Sequence, residues 1–405
     1  MNDYFISIEQ RNKDFVAFII FILSFSLLLV PGLFISWLLS LFFLLYYFDK
    51  RFMIFSFKKD FLKFMMLKIK LERELVESGF GVRISNSDNK KKMIFRAPVV
   101  KLEKVSDKKI RVFVGASINS LVSMKKLELS PLLSGWRQVR VSTNRGNDFV
   151  IYELESLEYD RQFIFKSISD VVSKNKDFKK ILIDEQTFIS TFSHILISGQ
   201  TGAGKSYALL YLLIIYKLKK ATISVCDPKF SDLADFSRML KISSFSAPSL
   251  IVEEVRKVFE EMENRKRKRI SEGWKIGTIA TDNGLELRIL VIDEFASLQM
   301  KLDKKELAEL MKYLNQIILE GRGLGVFVVI GMQQAHSSIL PTALREQFSA
   351  IFVLGNSGVQ TFNVAFQDKA KDLPDFVLEV GEGWLMKNGE VDPVLIRFPR
   401  LDFLR

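Results

Sequence analysis

The residues Gly199-Gln200-Thr201-Gly202-Ala203-Gly204-Lys205-Ser206 fit the pattern G-x-x-x-x-G-K-[ST] at every fixed position, directly after the apolar run His194-Ile195-Leu196-Ile197-Ser198. Such a loop needs a buried strand before it and a helix after it, expected here over Tyr207–Tyr216. That requirement commits the chain to an α/β architecture. The glycines let backbone N–H groups converge on phosphate oxygens, and the helix start adds partial positive charge. Lys205 is expected to reach the β- and γ-phosphates of ATP, and Ser206 to ligate Mg²⁺. The eight loop residues and Tyr207 are the candidate nucleotide-binding set.

A second stretch complements the first. Leu287–Ile292 reads as a buried strand and runs into Asp293 and Glu294, and parallel strands present functional groups at their C-terminal ends. Asp293 is the candidate second Mg²⁺ ligand, and Glu294 the candidate group that polarises the attacking water. Gln333 ends another apolar run, Val326–Ile330 followed by Gly331-Met332, and is placed to sense the γ-phosphate.

At 405 residues the chain has room for more than one domain. Lys and Arg outnumber Asp and Glu by 59 to 47, a formal charge of +12 that suits nucleic acid or phospholipid without choosing between them. Cys226 is the only cysteine, which excludes an intramolecular disulfide framework.

The N-terminal half has a different character. After residues 1–14, no charge interrupts Phe15–Phe48. As one helix this run would extend about 51 Å, beyond a ~30 Å hydrocarbon core. Breaking it at Pro31-Gly32 predicts a transmembrane helical hairpin, with a single tilted helix or a re-entrant hairpin as the other readings. Arg11, Lys13, Lys50 and Arg51 then put both ends in the cytoplasm by the positive-inside rule, giving a multi-pass cell-membrane protein with its ATPase domain in the cytoplasm. The basic amphipathic linker, 49–80, is read either as lying on anionic membrane lipids or as a helix packed on the soluble part. Residues 81–158 alternate short strand-like runs with turn residues and predict a small α+β domain. The motor domain is expected over 159–405, with Ile181–Asp184 as an edge strand of a mostly parallel sheet.

Between the two acidic and glycine-rich landmarks, Ile251–Arg269 predicts an amphipathic helix ending in the unbroken basic block Arg265–Arg269. The block is a solvated helix end, a nucleic-acid contact or a subunit interface. Phe230–Arg238 and Ser271–Asn283 are the candidate pore loops.

Taken in order, the P-loop, Asp227-Pro228-Lys229, Met262-Glu263-Asn264-Arg265, Gly321-Arg322-Gly323-Leu324-Gly325, Gly331-Met332-Gln333-Gln334 and Gly381-Glu382-Gly383 resemble the FtsK/SpoIIIE-type DNA translocases. Within them the chain is most similar to the coupling proteins of Gram-positive conjugative elements. The resemblance covers roughly residues 180–400 and implies a P-loop NTPase fold of the RecA-like kind. It also implies a hexameric ring that moves DNA at the expense of ATP, with relaxosome or secretion-channel proteins as partners. It further implies an arginine supplied in trans, for which Arg322 and Arg345 are the unranked candidates. Two other roles remain open on the sequence: chromosomal DNA translocation in division or sporulation, and ATP-driven secretion of protein substrates.

Overall fold

The computed structural model describes residues 5–7, 61–80, 82–85, 93–117, 120–333, 340–374, 377–390 and 392–404. The chain divides into two compact units, Met1–Asp160 and Arg161–Arg405.

In the first unit, four antiparallel strands form a sheet in the order Val100–Ser106, Lys109–Gly115, Phe149–Ser156, Trp136–Thr143. Alternation explains why one face is dry: Ile110, Val112 and Val114 are buried, as are Val150, Tyr152 and Leu154 across from them. The helix Phe61–Leu75 adds Phe64, Leu71 and Leu75 to the same core. This part of the basic linker is therefore a packed helix, the second of its two readings. Residues 49–60 lie outside the described residues.

The second unit is built on one eight-stranded sheet. Its strands in chain order are β1 (Ile195–Gly199), β2 (Thr222–Cys226), β3 (Ser243–Phe245), β4 (Arg288–Ile292), β5 (Val326–Met332), β6 (Ala350–Leu354), β7 (Glu382–Lys387) and β8 (Val394–Arg397). They lie in the order β3-β2-β4-β5-β1-β6-β7-β8. The first six are parallel, while β7 runs against β6 and β8 against β7. The sheet is thus mixed, with antiparallel strands at one side of a parallel body. Strands β1, β4, β5 and β6 are buried at every position, which explains their mostly apolar sequences.

The connecting helices are α1 (Lys205–Leu218), α2 (Asp232–Met239), α3 (Pro248–Glu272), α4 (Phe295–Lys301) and α5 (Lys304–Glu320). The second half of α1 is buried almost all round, from Ala208 to Tyr216, and joins the core under β1 with Ile195, Ile197, Phe352 and Leu385. Helices α3 and α5 meet through the stacked rings of Phe259 and Tyr313, 5.0 Å apart. From β1 the chain crosses to β2 on one side and later returns to β6 on the other. The crevice at the C-terminal end of β1 is therefore a topological switch point, where parallel sheets bind ligands.

Three expectations are corrected. The strand expected over Ile181–Asp184 does not join the sheet: Lys180–Leu182 pairs with Phe188–Ser190 as a separate hairpin. Asp184 closes its turn by accepting from the Gln186 N–H, so the segment pairs with itself. The candidate pore loop Phe230–Arg238 is mostly helix α2, capped by the Ser231 side chain.

The third correction concerns the membrane. The hairpin expected over Phe15–Phe48 lies outside the described residues, and among the described residues no helix is long and apolar enough to cross a bilayer. The most apolar long helix, α1, has 14 residues and extends about 21 Å, short of a ~30 Å core. The 25-residue α3 is dense in Glu, Lys and Arg. A multi-pass cell-membrane protein is accordingly not supported.

Candidate nucleotide site

The phosphate loop is shaped by close approach and left-handed backbone. Gly202 and Gly204 adopt φ of 85° and 97°, which side chains disfavour. A Cβ at Gly204 would in addition meet the Gly381 backbone N at 2.9 Å. The loop closes through Ala203 N–H donating to Gln200 O at 3.0 Å, and Gly381 N–H donates to Ala203 O at 3.0 Å. Gly204 is the N-cap of α1 and supplies no side-chain cap, leaving the helix start open to an anion.

Around this loop lies a cleft of about 350 Å³ lined by Gly199, Gln200, Thr201, Gly202, Gly204, Lys205, Ser206 and Tyr207 together with Lys229, Asp293, Glu294 and Gln333. Residues from four strand ends thus converge on one space. A neighbouring cleft of about 550 Å³ shares Gly204, Tyr207 and Val380 and continues past Gln162 to Arg397–Arg400.

Inside the first cleft the charges are paired. Lys205 Nζ lies 2.6 Å from Asp293 Oδ1 and also donates to Glu294 Oε1. Glu294 Oε2 accepts from Lys229 Nζ at 2.9 Å. Burial pushes the Asp293 carboxyl above the usual Asp value, against the pull of Lys205. Burial also pushes Glu294 upward, but the hydrogen bonds and charges of Lys205 and Lys229 outweigh it and hold Glu294 below the usual Glu value. Glu294 has φ 52° and ψ 50°, a left-handed conformation that costs a non-glycine residue about 1–2 kcal/mol. The strain turns the chain out of β4 at the point where its two carboxylates enter the cleft. Gly331 on the adjacent β5 makes room for them: a Cβ there would meet Asp293 Oδ1 at 2.5 Å.

Lys229 and Asp227 were not among the expected site residues, although Asp227-Pro228-Lys229 at the end of β2 carried the signal. Asp227 is fully buried and accepts from the N–H of Lys229 at 3.1 Å and from the N–H and hydroxyl of Ser231 at 2.6 and 2.8 Å.

The two candidate trans arginines stand apart from this cleft. Both precede their strands, Arg322 before β5 and Arg345 before β6, so they lie at the N-terminal end of the parallel strands, roughly 20 Å of strand away. Arg322 is exposed. Arg345 is only 6% exposed and donates to Thr342 Oγ1 at 3.0 Å.

The basic block resolves residue by residue. Arg265 is buried, donating from Nη1 to Glu286 O at 2.9 Å and to Leu324 O at 3.0 Å. Lys266 pairs with Glu320 and Glu263, Lys268 with Glu272, and Arg267 donates to Asn264. Arg265 is a structural cation, and Lys266 and Lys268 are half-exposed charges with glutamates beside them.

No protein-family profile matches the chain. Over 180 residues, 44% of the chain, it is 32% identical to the FtsK domain-containing protein YdcQ of Bacillus subtilis (strain 168), and the match spans 37% of that relative's length. Among solved structures, the conjugation coupling protein TcpA of pCW3, monomer form with ATPγS, has a TM-score of 0.54 at 16% identity, covering 84% of this chain and 95% of that one. ATPases 2 and 3 of EssC from Geobacillus thermodenitrificans have a TM-score of 0.45 at 16% identity, over 60% of this chain and 47% of that one. At 16% identity the likeness to TcpA is one of fold.

Proposed function

We propose that this chain, of the FtsK/SpoIIIE-type family, hydrolyses ATP and uses the turnover to move DNA, as a coupling protein that hands DNA to a conjugative channel. The observation that carries the reading is the meeting of Lys205, Asp293 and Glu294 at the open start of α1. A triphosphate entering the 350 Å³ cleft meets the backbone N–H groups of Gly202–Ser206 and the Lys205 ammonium. The nucleoside extends toward the neighbouring cleft beside Tyr207 and Val380.

The donor set fits Mg²⁺: Asp293 already holds a cationic group, the Lys205 ammonium, at 2.6 Å, and the Ser206 hydroxyl lines the same cleft. When bound there, Mg²⁺ supplies charge neutralisation of the phosphate oxygens. Glu294 orients the attacking water and accepts its hydrogen bond, and Gln333, at the end of β5, faces the same cleft and senses the γ-phosphate. Arg322, exposed at the end of the sheet away from the cleft, serves a neighbour's cleft in a hexameric ring. This reading ranks it above the buried Arg345 for the trans role. Relaxosome proteins present the DNA.

Replacing Lys205 with alanine is expected to abolish ATP turnover with the fold retained. Turnover of the intact chain measured with single-stranded DNA, duplex DNA, a secretion-signal peptide and no addition tests the substrate. Stimulation by either DNA supports the reading. Stimulation by peptide alone would replace it with protein secretion.

A further inference from the structure

Among the described residues that line the cleft, Lys229 is the one cation that ATP binding does not claim. Lys205 belongs to the phosphate loop, and drawing it toward the β- and γ-phosphates takes it away from Glu294 Oε1. The second oxygen of Glu294 stays with Lys229, 65 residues earlier in the chain and 2.9 Å away. We propose that Lys229 is a positioning residue for hydrolysis, holding the Glu294 carboxylate toward the attacking water once Lys205 has turned to the nucleotide. The inference rests on the ATPase reading above and names a group in the same site.

The mounting of Lys229 supports the role. Its own N–H donates to the buried Asp227 carboxylate, which also takes both donors of Ser231, the N-cap of α2. From the other side Lys301 of α4 donates to Pro228 O. The next residue, Phe230, adopts φ 53°, a left-handed conformation costly for an aromatic residue. Three elements thus hold a strained five-residue turn whose only long side chain reaching Glu294 is Lys229. Among the described residues, the charged groups facing Glu294 are Lys205 from α1, Lys229 from this turn and Asp293 just after β4, with Asp232 at the cleft wall. Two of these are anions, so without Lys229 no other side chain among the described residues of the cleft offers the carboxylate a cation when Lys205 is engaged. Lys229 is 41% exposed at its side chain while Glu294 is 10% exposed: the ammonium sits at the mouth and the carboxylate inside.

A phosphate contact and a positioning contact differ in what their loss changes. Steady-state ATP turnover, and affinity for a non-hydrolysable ATP analogue, are measured for the wild-type chain, Lys229→Met and Lys229→Arg. For Lys229→Met, kcat is expected to fall about tenfold or more with KM and analogue affinity within about twofold, and Lys229→Arg to recover most of kcat. An unchanged kcat in Lys229→Met overturns the inference, as does a loss of analogue affinity matching the loss of turnover, which would make Lys229 a phosphate ligand. Absence of turnover in the wild-type chain overturns the ATPase reading itself, and this inference with it.

Discussion

His194 and Gly331 show how much one side chain can decide. His194 precedes β1, is almost fully buried, and its Nδ1 accepts from the Val328 N–H at 3.0 Å. Burial, reinforced by the positive charge of Arg322, lowers its pKa from the ordinary value to about 4. Folded, the ring stays neutral where the unfolded chain would already bind a proton. Its contribution is therefore intact above about pH 6.5 and erodes as the pH falls toward 4, by about 3 kcal/mol in all. A His194→Gln variant, compared with the parent by urea unfolding at pH 7 and pH 4.5, should lose less stability between the two pH values. Gly331 acts through space instead of charge. Gly331→Ala places a methyl group 2.5 Å from Asp293 Oδ1, and should lower ATP turnover about tenfold by displacing that carboxylate, with a smaller change in melting temperature.

Among the elements, α3 carries the clearest lesson. Its basic C-terminal part looks like a surface for an anion, yet the first residue of that block, Arg265, is tied inward. Arg265 donates to the carbonyls of Glu286 and Leu324, and Glu261 accepts both from Arg265 and from Arg288 of β4. Arg288 reaches on to Glu254 and Ser224, each at 2.8 Å. The result is a largely buried polar network that ties α3 to the start of β4. Removing one member leaves unpaired charge and carbonyl groups in a dry environment. Arg288→Ala should cost about 3–5 kcal/mol in equilibrium urea unfolding, and Arg265→Ala about 2–3 kcal/mol. Neutralising Lys266 and Lys268, whose charges are met by Glu320, Glu263 and Glu272, should leave the salt dependence of DNA binding within one counterion of the parent.

For the molecule as a whole, the formal charge of +12 sets the expected character of substrate binding. If the chain moves DNA as proposed, its grip has to be indifferent to sequence and rests on phosphate contacts and counterion release. DNA affinity and DNA-stimulated turnover should therefore both fall steeply between 50 and 200 mM salt, whatever the base composition of the DNA, while basal turnover changes little. Titrating binding of two unrelated sequences against salt checks this. Parallel slopes are the expected result, and a sequence-dependent slope would point to base readout instead.

The phosphate loop, the strand ending in Asp293 and Glu294, and helix α3 were legible because each is written in neighbouring residues. Glycine spacing, apolar runs and helical periodicity report local backbone states, and these need no knowledge of what lies elsewhere in the chain. Lys229 against Glu294, Arg265 under the Leu324 carbonyl, the pairing of Lys180–Leu182 with its own hairpin, and the antiparallel β7 and β8 were not legible in that way. Each joins segments by contacts whose free energy exists only once the sheet has formed and water has been excluded. A lysine reads the same in the sequence whether it faces solvent or a buried carboxylate; the fold alone distinguishes the two.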